Sequence, residues 1–391
     1  MRDLNTNLVV NLIKSAGTIS RADLARRSEL SPATISNITA RLVRVGIVSE
    51  GAIGPSKAGR PPVLLRLNEQ AGYAVGIKLK EQALTTVITD LGARVIYTSE
   101  TKAPLAADAG AATVAVTQAV RHALREARVV RKRVLGVGIG VGGLIDAAEG
   151  ICRYSHILNW RDVPLRDPLS DSLQMPVWVD NDVNCLTVAE KWFGAGIGLR
   201  HFLTVTIGRG VGLGIVVNGE IFRGALGGAG ELGHVIVSPD GPLCHCGRSG
   251  CLEALVSEPA LRAKASSLLR RHISSQELVA LAEAGQPEVV GVLEEGGRQL
   301  GLALANLVTL LSPERLIVSG EGTRLGTAFF AVMEKVIREK AFANMGADVD
   351  IVVQPWGDDA WAVGAATLVL RELFSLSVGE GPRSLPQSLA G

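Results

Sequence analysis

The sequence predicts an α/β body made of two similar halves, preceded by a winged helix-turn-helix module. Three observations carry that prediction. The first seventy residues hold ten basic and five acidic side chains and contain two short capped helices joined by a tight turn. From Tyr73 onward, strand-like and helix-like segments alternate with glycine turns, as in layered α/β folds. Finally, 391 residues exceed what one ordinary core holds, and the 45 glycines suit many tight strand-to-loop turns.

In the N-terminal module, Leu4, Leu8, Leu12 and Ile13 recur at helical spacing, and Gly17 ends that segment. Ser20 is expected to cap a helix over 21–28 with Leu24 and Ala25 facing inward. Ser31-Pro32 then sets an N-cap followed by proline at the first helical position. The helix over 32–45 is expected to bury Ile35, Ile38, Leu42 and Val45. Its outer face would show Thr34, Asn37, Arg41 and Arg44, with Ser36 and Ala40 beside them. Small polar residues near the start of a second helix suit reading of the DNA major groove. Residues 47–53 and 63–67 read as a β-hairpin wing. Its tip and return carry Lys57 and Arg60, the latter between Gly59 and Pro61 like a minor-groove arm.

In the body, strands are expected over 73–79, 85–89 and 94–98, then an alanine-rich helix over 111–128 and strands over 134–140 and 177–179. A helix over 183–193 and a strand over 202–207 follow. Later come a helix over 296–311, a strand over 315–318 and a closing helix over 361–374. Three-strand openings near Tyr73 and His201 imply a duplicated core with a cleft between halves. The division expected is 1–70 for the DNA-binding module, 71–374 for the body and 375–391 for a loose tail rich in Gly, Pro and Ser.

Composition excludes several classes. A hydrophobic content of 47% rules out a largely disordered chain, and five cysteines are too few and odd in number for a disulfide scaffold. No basic stretch followed by an apolar run opens the chain. The longest apolar run, 134–145, holds five glycines and is too short for a membrane span. A cytoplasmic protein is expected. Net charge is +2 overall, but +5 over the first seventy residues and −3 over the other 321, which places nucleic acid at one end only.

The strongest chemical signal runs from Cys244 to Glu253. Cys244, Cys246 and Cys251 within eight positions read as zinc ligands, and His234, ten residues upstream, is the expected fourth. His245 competes for that place, though it is squeezed between two ligating cysteines. Cys152 and Cys185 read as small core residues. Glu231 and Glu253 flank the proposed ligands, so a zinc joining both segments would fix two carboxylates toward one pocket, which suits sugar hydroxyls. Asp180-Asn181-Asp182-Val183-Asn184 ends a strand where α/β folds bind ligands; taken alone, a helix cap is its commoner use.

These residues carry a resemblance. The chain resembles the ROK family of repressors, open reading frames and sugar kinases over nearly its whole length. The Cys-x-Cys-Gly-x-x-Gly-Cys-x-Glu pattern is complete at Cys244 to Glu253. Gly230 to His234, Asn181-Asp182, Asn159-Trp160 and Gly142 to Asp146 are similar to further family motifs. The winged helix followed by Gly59-Arg60-Pro61 is similar to the branch of xylose-operon and N-acetylglucosamine repressors. The resemblance implies a two-lobed actin-like fold, as in ROK sugar kinases, with a monosaccharide in its cleft touching Asn181, Asp182, Glu231, His234 and Glu253. It also implies that Asp182 stands where family kinases keep their general base.

The phosphate-binding side departs from the kinase pattern. Family kinases open with an aspartate and Gly-Gly-Thr on the first hairpin, where this chain has Val75-Gly76-Ile77-Lys78-Leu79-Lys80-Glu81. Their Gly-Thr-Gly loop reads Gly208-Arg209-Gly210, and Ser319-Gly320-Glu321-Gly322 keeps an adenosine-side loop only in part. The expectation is a sugar-responsive repressor of carbohydrate-utilisation genes without catalytic activity. It would bind operator DNA as a homodimer or homotetramer and take xylose, glucose or an amino sugar as effector. A sugar kinase with an appended DNA-binding domain is the alternative, and a DNA-bound scaffold whose cleft docks a protein is a third reading.

Overall fold

A computed structural model of the chain describes residues 2–53, 61–106, 109–355 and 359–374. The N-terminal head comprises α1 (Arg2–Ala16), β1 (Ile19–Ser20), α2 (Arg21–Ser28), α3 (Pro32–Arg44), β2 (Val48–Ile53) and β3 (Val63–Leu67), with β3 central and antiparallel to both neighbours. Both expected caps form. The Asp23 amide donates to the Ser20 hydroxyl, and the Thr34 amide to the Ser31 hydroxyl, each at 3.1 Å. Lys57 and Arg60 lie outside the described residues.

Two buried faces differ from expectation. In α1 the buried side chains are Thr6, Val9, Val10 and Ile13, whereas Leu8 and Leu12 are half-buried. The helix packs on the head and the body at once, so its inner stripe is rotated from the leucine row. In α3, which ends at Arg44, Thr39 is buried while Ile38 and Val45 are half-buried. Its hydroxyl donates to the Ile35 carbonyl at 2.8 Å, which satisfies the buried polar atom.

The first lobe contains β4 (Tyr73–Leu79), β5 (Ala83–Asp90), β6 (Val95–Lys102), α4 (Ala109–Glu126) and β7 (Val134–Val141). A small antiparallel sheet of β8 (Leu144–Asp146), β9 (Ile151–Ser155) and β10 (Trp160–Pro164) follows, then α5 (Arg166–Leu173), β11 (Val177–Asn181) and α6 (Asp182–Phe193). The second lobe contains β12 (Phe202–Ile207), β13 (Val211–Val217), β14 (Glu220–Ile221), α7 (Glu253–Val256), α8 (Glu258–Leu268), α9 (Ser275–Glu283) and α10 (Pro287–Leu311). It continues with β15 (Arg315–Ser319), α11 (Thr327–Lys340), α12 (Met345–Asp348) and β16 (Asp350–Val353). α13 (Ala360–Phe374) closes the chain's described part on the first lobe. α10 begins nine residues earlier than the 296–311 span, because Pro287 supplies a starting turn ahead of the apolar stripe.

The duplication is explicit in the topology. The sheets run β11-β7-β4-β5-β6 and β14-β13-β12-β15-β16. Each is an antiparallel three-strand meander whose first strand gains two parallel strands on its other side. α13 crosses the first sheet at backbone distance. A Cβ on Gly76 or Gly138 would lie 1.9 or 1.8 Å from the carbonyl oxygens of Ala362 and Ala365, so only glycine fits there.

The head is not independent of the body. One apolar cluster joins Val9, Val10 and Ile13 to Ala362, Ala366 and Leu370 of α13. At its margin, the Lys14 ammonium donates to the Trp192 carbonyl at the end of α6 and lies 4.0 Å from the centre of the Phe193 ring. Among the described residues, no helix is long and apolar enough to cross a membrane.

Candidate functional site

The cysteine loop folds before any metal enters the argument. The Gly247 amide donates to the Cys244 carbonyl at 2.9 Å, and the Cys244 amide to the Arg248 carbonyl at 2.8 Å, making a tight knuckle. An antiparallel bridge between Ile236 and Cys251 joins the knuckle to the His234 segment. The ligand atoms of His234, Cys244, Cys246 and Cys251 then lie within 4.8 Å of one another. Cys244 Sγ is 3.7 Å from His234 Nδ1, and Cys246 Sγ is 3.6 Å from Cys251 Sγ. A tetrahedron with zinc–sulfur bonds of ~2.3 Å has edges of about 3.8 Å, so the donor set fits a structural zinc. Burial lowers the His234 imidazole pKa and favours the neutral ring that a ligand must be. The set with all three thiols includes His234, not His245.

His245 falls instead in a second candidate ligand set, with His234, Cys244 and Glu253, its Nδ1 4.0 Å from Cys244 Sγ. Its Nδ1 lies 3.0 Å from Glu253 Oε1, and its ring stacks on that of His156 with centroids 4.5 Å apart. Glu253 Oε2 accepts from the Val211 amide at 3.0 Å. Cys152 and Cys185 are fully buried, and burial pushes the Cys152 thiol up to about 12, as suits inert core positions.

The acidic cluster is both cap and cleft wall. Asn181 Oδ1 accepts from the amides of Val183 (2.8 Å) and Asn184 (3.2 Å), and its Nδ2 donates to the Gly143 carbonyl at 2.9 Å. Asn181 therefore keeps one amide hydrogen for a ligand. Asp180 is buried, with its Oδ2 accepting from Arg223 Nη2 at 2.6 Å and Nε at 3.0 Å. Gly230, at φ +95°, brings Glu231 beside β13; a Cβ on it would fall 1.9 Å from the Leu213 carbonyl oxygen. Burial first, then the charges of Asp182 and Glu253, push the Glu231 carboxyl above its ordinary range. The three carboxylates thus lie near enough for Asp182 and Glu253 to act on the charge of Glu231.

The phosphate side is closed by side chains. The Lys78 ammonium pairs with Asp182 Oδ2, and both side chains are largely buried, with exposures of 13% and 15%. Arg209 Nη2 reaches Glu81 Oε2 of the first hairpin at 2.9 Å, and Trp361 Nε1 donates to Glu321 Oε1 at 3.0 Å. Among these departures Arg209 and Glu321 contact the other lobe, whereas Lys78 pairs with Asp182 and Lys80 with Glu100 of β6 within the first lobe. Sequence reasoning had read Lys78, Glu81 and Arg209 as losses; their pairing was invisible because the partners lie 104 and 128 residues apart. His156 gave no signal at all.

On the head, Ser36, Asn37 and Arg44 are exposed on α3, and Thr34 is half-buried. Arg41 Nη2 donates to the Thr6 hydroxyl of α1 at 2.9 Å.

Residues 75–372 match the ROK family, and residues 2–49 match a winged helix-turn-helix DNA-binding domain. The chain belongs to the ROK family. It is 29% identical over 388 residues to the xylose repressor of Caldicellulosiruptor bescii, covering 96% of this chain and 97% of that protein. It is 28% identical over 393 residues to the DNA-binding transcriptional dual regulator NagC of Escherichia coli K12, covering 96% and 94%. A solved ROK family transcriptional regulator, a homologue of the E. coli Mlc protein, superposes with a TM-score of 0.85 at 28% identity over 95% of this chain and 96% of that one. A ROK glucokinase from Streptomyces griseus, solved with glucose and AMPPNP, covers 76% of this chain and 99% of its own at 28% identity, with a TM-score of 0.66. The xylose repressor, NagC and the Mlc homologue, each matched over nearly all of this chain, are transcriptional regulators. This ROK chain is a sugar-responsive transcriptional repressor and not a kinase.

Proposed function

We propose that the chain represses carbohydrate-utilisation genes in the cytoplasm as a homodimer or homotetramer on a two-fold operator, and that a monosaccharide in the cleft sets its affinity for DNA. The observation that carries this reading is the Lys78–Asp182 pair. It pairs Asp182, which stands where family kinases keep their general base, with a fixed cation, and it leaves Glu231 and Glu253 in place. Glu231, Glu253, Asp182 and the remaining amide hydrogen of Asn181 are the hydroxyl partners. His234 is shared between the sugar and zinc, with one ring nitrogen for each. Zinc on Cys244, Cys246, Cys251 and His234 would brace the loop that sets Glu253. The names of the relatives favour xylose, glucose or an amino sugar as the effector class.

In this reading residues 1–70 carry the DNA contacts and 71–374 the sugar site. Ser36, Asn37 and Arg44 face the major groove with Thr34, Arg41 exchanges Thr6 for DNA, and Lys57 and Arg60 serve the wing. A sugar that prefers a closed cleft shifts the population toward one spacing of two heads. The test is a thermal-shift screen of full-length zinc-loaded protein against monosaccharides and their phosphates. A ligand at one hundred times its Kd adds about 2.7 kcal/mol. A hit that also changes operator affinity supports the reading; no hit across the panel overturns it.

A further inference from the structure

We propose that His156 and His245 are positioning residues of the sugar site, which orient the Glu253 carboxylate by a stack spanning the two lobes and so set discrimination between sugars. This rests on the monosaccharide reading of the cleft. Glu253 is 8% exposed and both of its oxygens are already engaged, Oε2 by the Val211 amide and Oε1 by His245 Nδ1. An ionised carboxylate only accepts, so His245 carries its proton on Nδ1. Two donors from opposite sides fix the plane of the carboxylate, and the free lone pairs face hydroxyls in one geometry.

The second half of the device comes from the other lobe. His245 sits in the knuckle between Cys244 and Cys246, on the side of the molecule whose core holds Leu232 and Leu252. His156 lies between β9 and β10, anchored in the first-lobe core by Leu158 and Trp160. Trp160 Nε1 donates to the Leu105 carbonyl at 3.0 Å, which fixes that loop from below. The rings are 25° from coplanar, and the edge of His234 stands 5.2 Å from His245 on the next side. The backbone of His245 is set by the knuckle and its ring by His156. Parting the lobes removes the stack, so Glu253 is held firmly only when they are together. The ligand class is an aldose with free hydroxyls opposite Glu253. A sugar that lacks the hydroxyl opposite a fixed carboxylate, or carries a substituent in its place, loses a charged hydrogen bond, whereas a loose carboxylate would turn to a neighbouring hydroxyl.

The experiment measures Kd by calorimetry for D-xylose, D-glucose and N-acetyl-D-glucosamine with the full-length zinc-loaded wild type, His156→Ala, His156→Phe and His245→Gln. For the best-bound sugar, His156→Ala is expected to raise Kd about tenfold. Its preference over the next sugar should narrow, with zinc content and the melting temperature of the free protein unchanged. His156→Phe, which keeps a flat ring, restores both affinity and preference. Wild-type Kd values and preference in His156→Ala overturn the proposal and leave the sugar reading standing. Zinc loss in His245→Gln assigns that residue to the metal and overturns its positioning role. A wild type that binds none of the three sugars overturns this proposal together with its sugar premise.

Discussion

Lys78 is the residue at which the regulator and the kinase part company. It comes from the first hairpin, takes Asp182 as its partner, and lies 5.2 Å from the centre of the Trp361 ring. Replacing it with methionine leaves a largely buried carboxylate without its counter-charge, at a cost of about 3–5 kcal/mol. The melting temperature of Lys78→Met should fall accordingly in a thermal scan. No phosphorylation should appear, because the first hairpin still lacks the aspartate and Gly-Gly-Thr of the kinase pattern. ADP release from Mg-ATP with D-glucose or D-xylose, in wild type or variant, would contradict this.

The knuckle, α3 and α1 show which elements a sequence discloses. The candidate metal site was legible because the four residues that could hold an ion fall within eighteen positions and the loop between them is held by its own hydrogen bonds. Replacing Cys246 with serine should release zinc, measured by atomic absorption, and abolish the sugar-induced thermal shift. Normal sugar binding without zinc would show that the knuckle does not brace Glu253. The caps of α2 and α3 were equally legible, since Ser20 and Ser31 bond to amides three positions on. Ser31→Ala should cost about 1 kcal/mol. Operator affinity should weaken as α3 frays, in a gel-shift titration. Arg41→Ala should likewise weaken specific binding; unchanged affinity would leave Arg41 as a tie to Thr6 and nothing more. The inner face of α1 was not legible, because Val9 and Val10 answer to α13, more than 340 residues away in the chain. The His156–His245 stack escaped for the same reason, being a contact between two loops with no shared period or motif.

At the scale of the whole molecule, head and body share one core, and Lys14 is a charged group at the margin of that seam, near Lys191, Arg66 and Glu69. Burial lowers its pKa from 10.5 to about 8. Between about pH 8 and 10.5 the unfolded chain therefore keeps a proton that the folded one sheds, and stability rises with pH across that window. Melting temperatures at pH 7.5 and 9.5 should show the wild type gaining on Lys14→Met; parallel shifts in both proteins would remove Lys14 from the account. α6 gives this seam its reach. Its first residue, Asp182, stands in the cleft, and its last two, Trp192 and Phe193, hold Lys14 of the head. Twelve residues at ~1.5 Å each make a rod of about 18 Å. A tilt of about 5° at the cleft end carries the far end through about 1.6 Å with little bending between. In a two-headed assembly each rod contributes its own displacement. Under the proposed sugar switch, α6 would be a linkage of fixed length, on which a hydroxyl's worth of contact at one end would be read as a distance along DNA at the other.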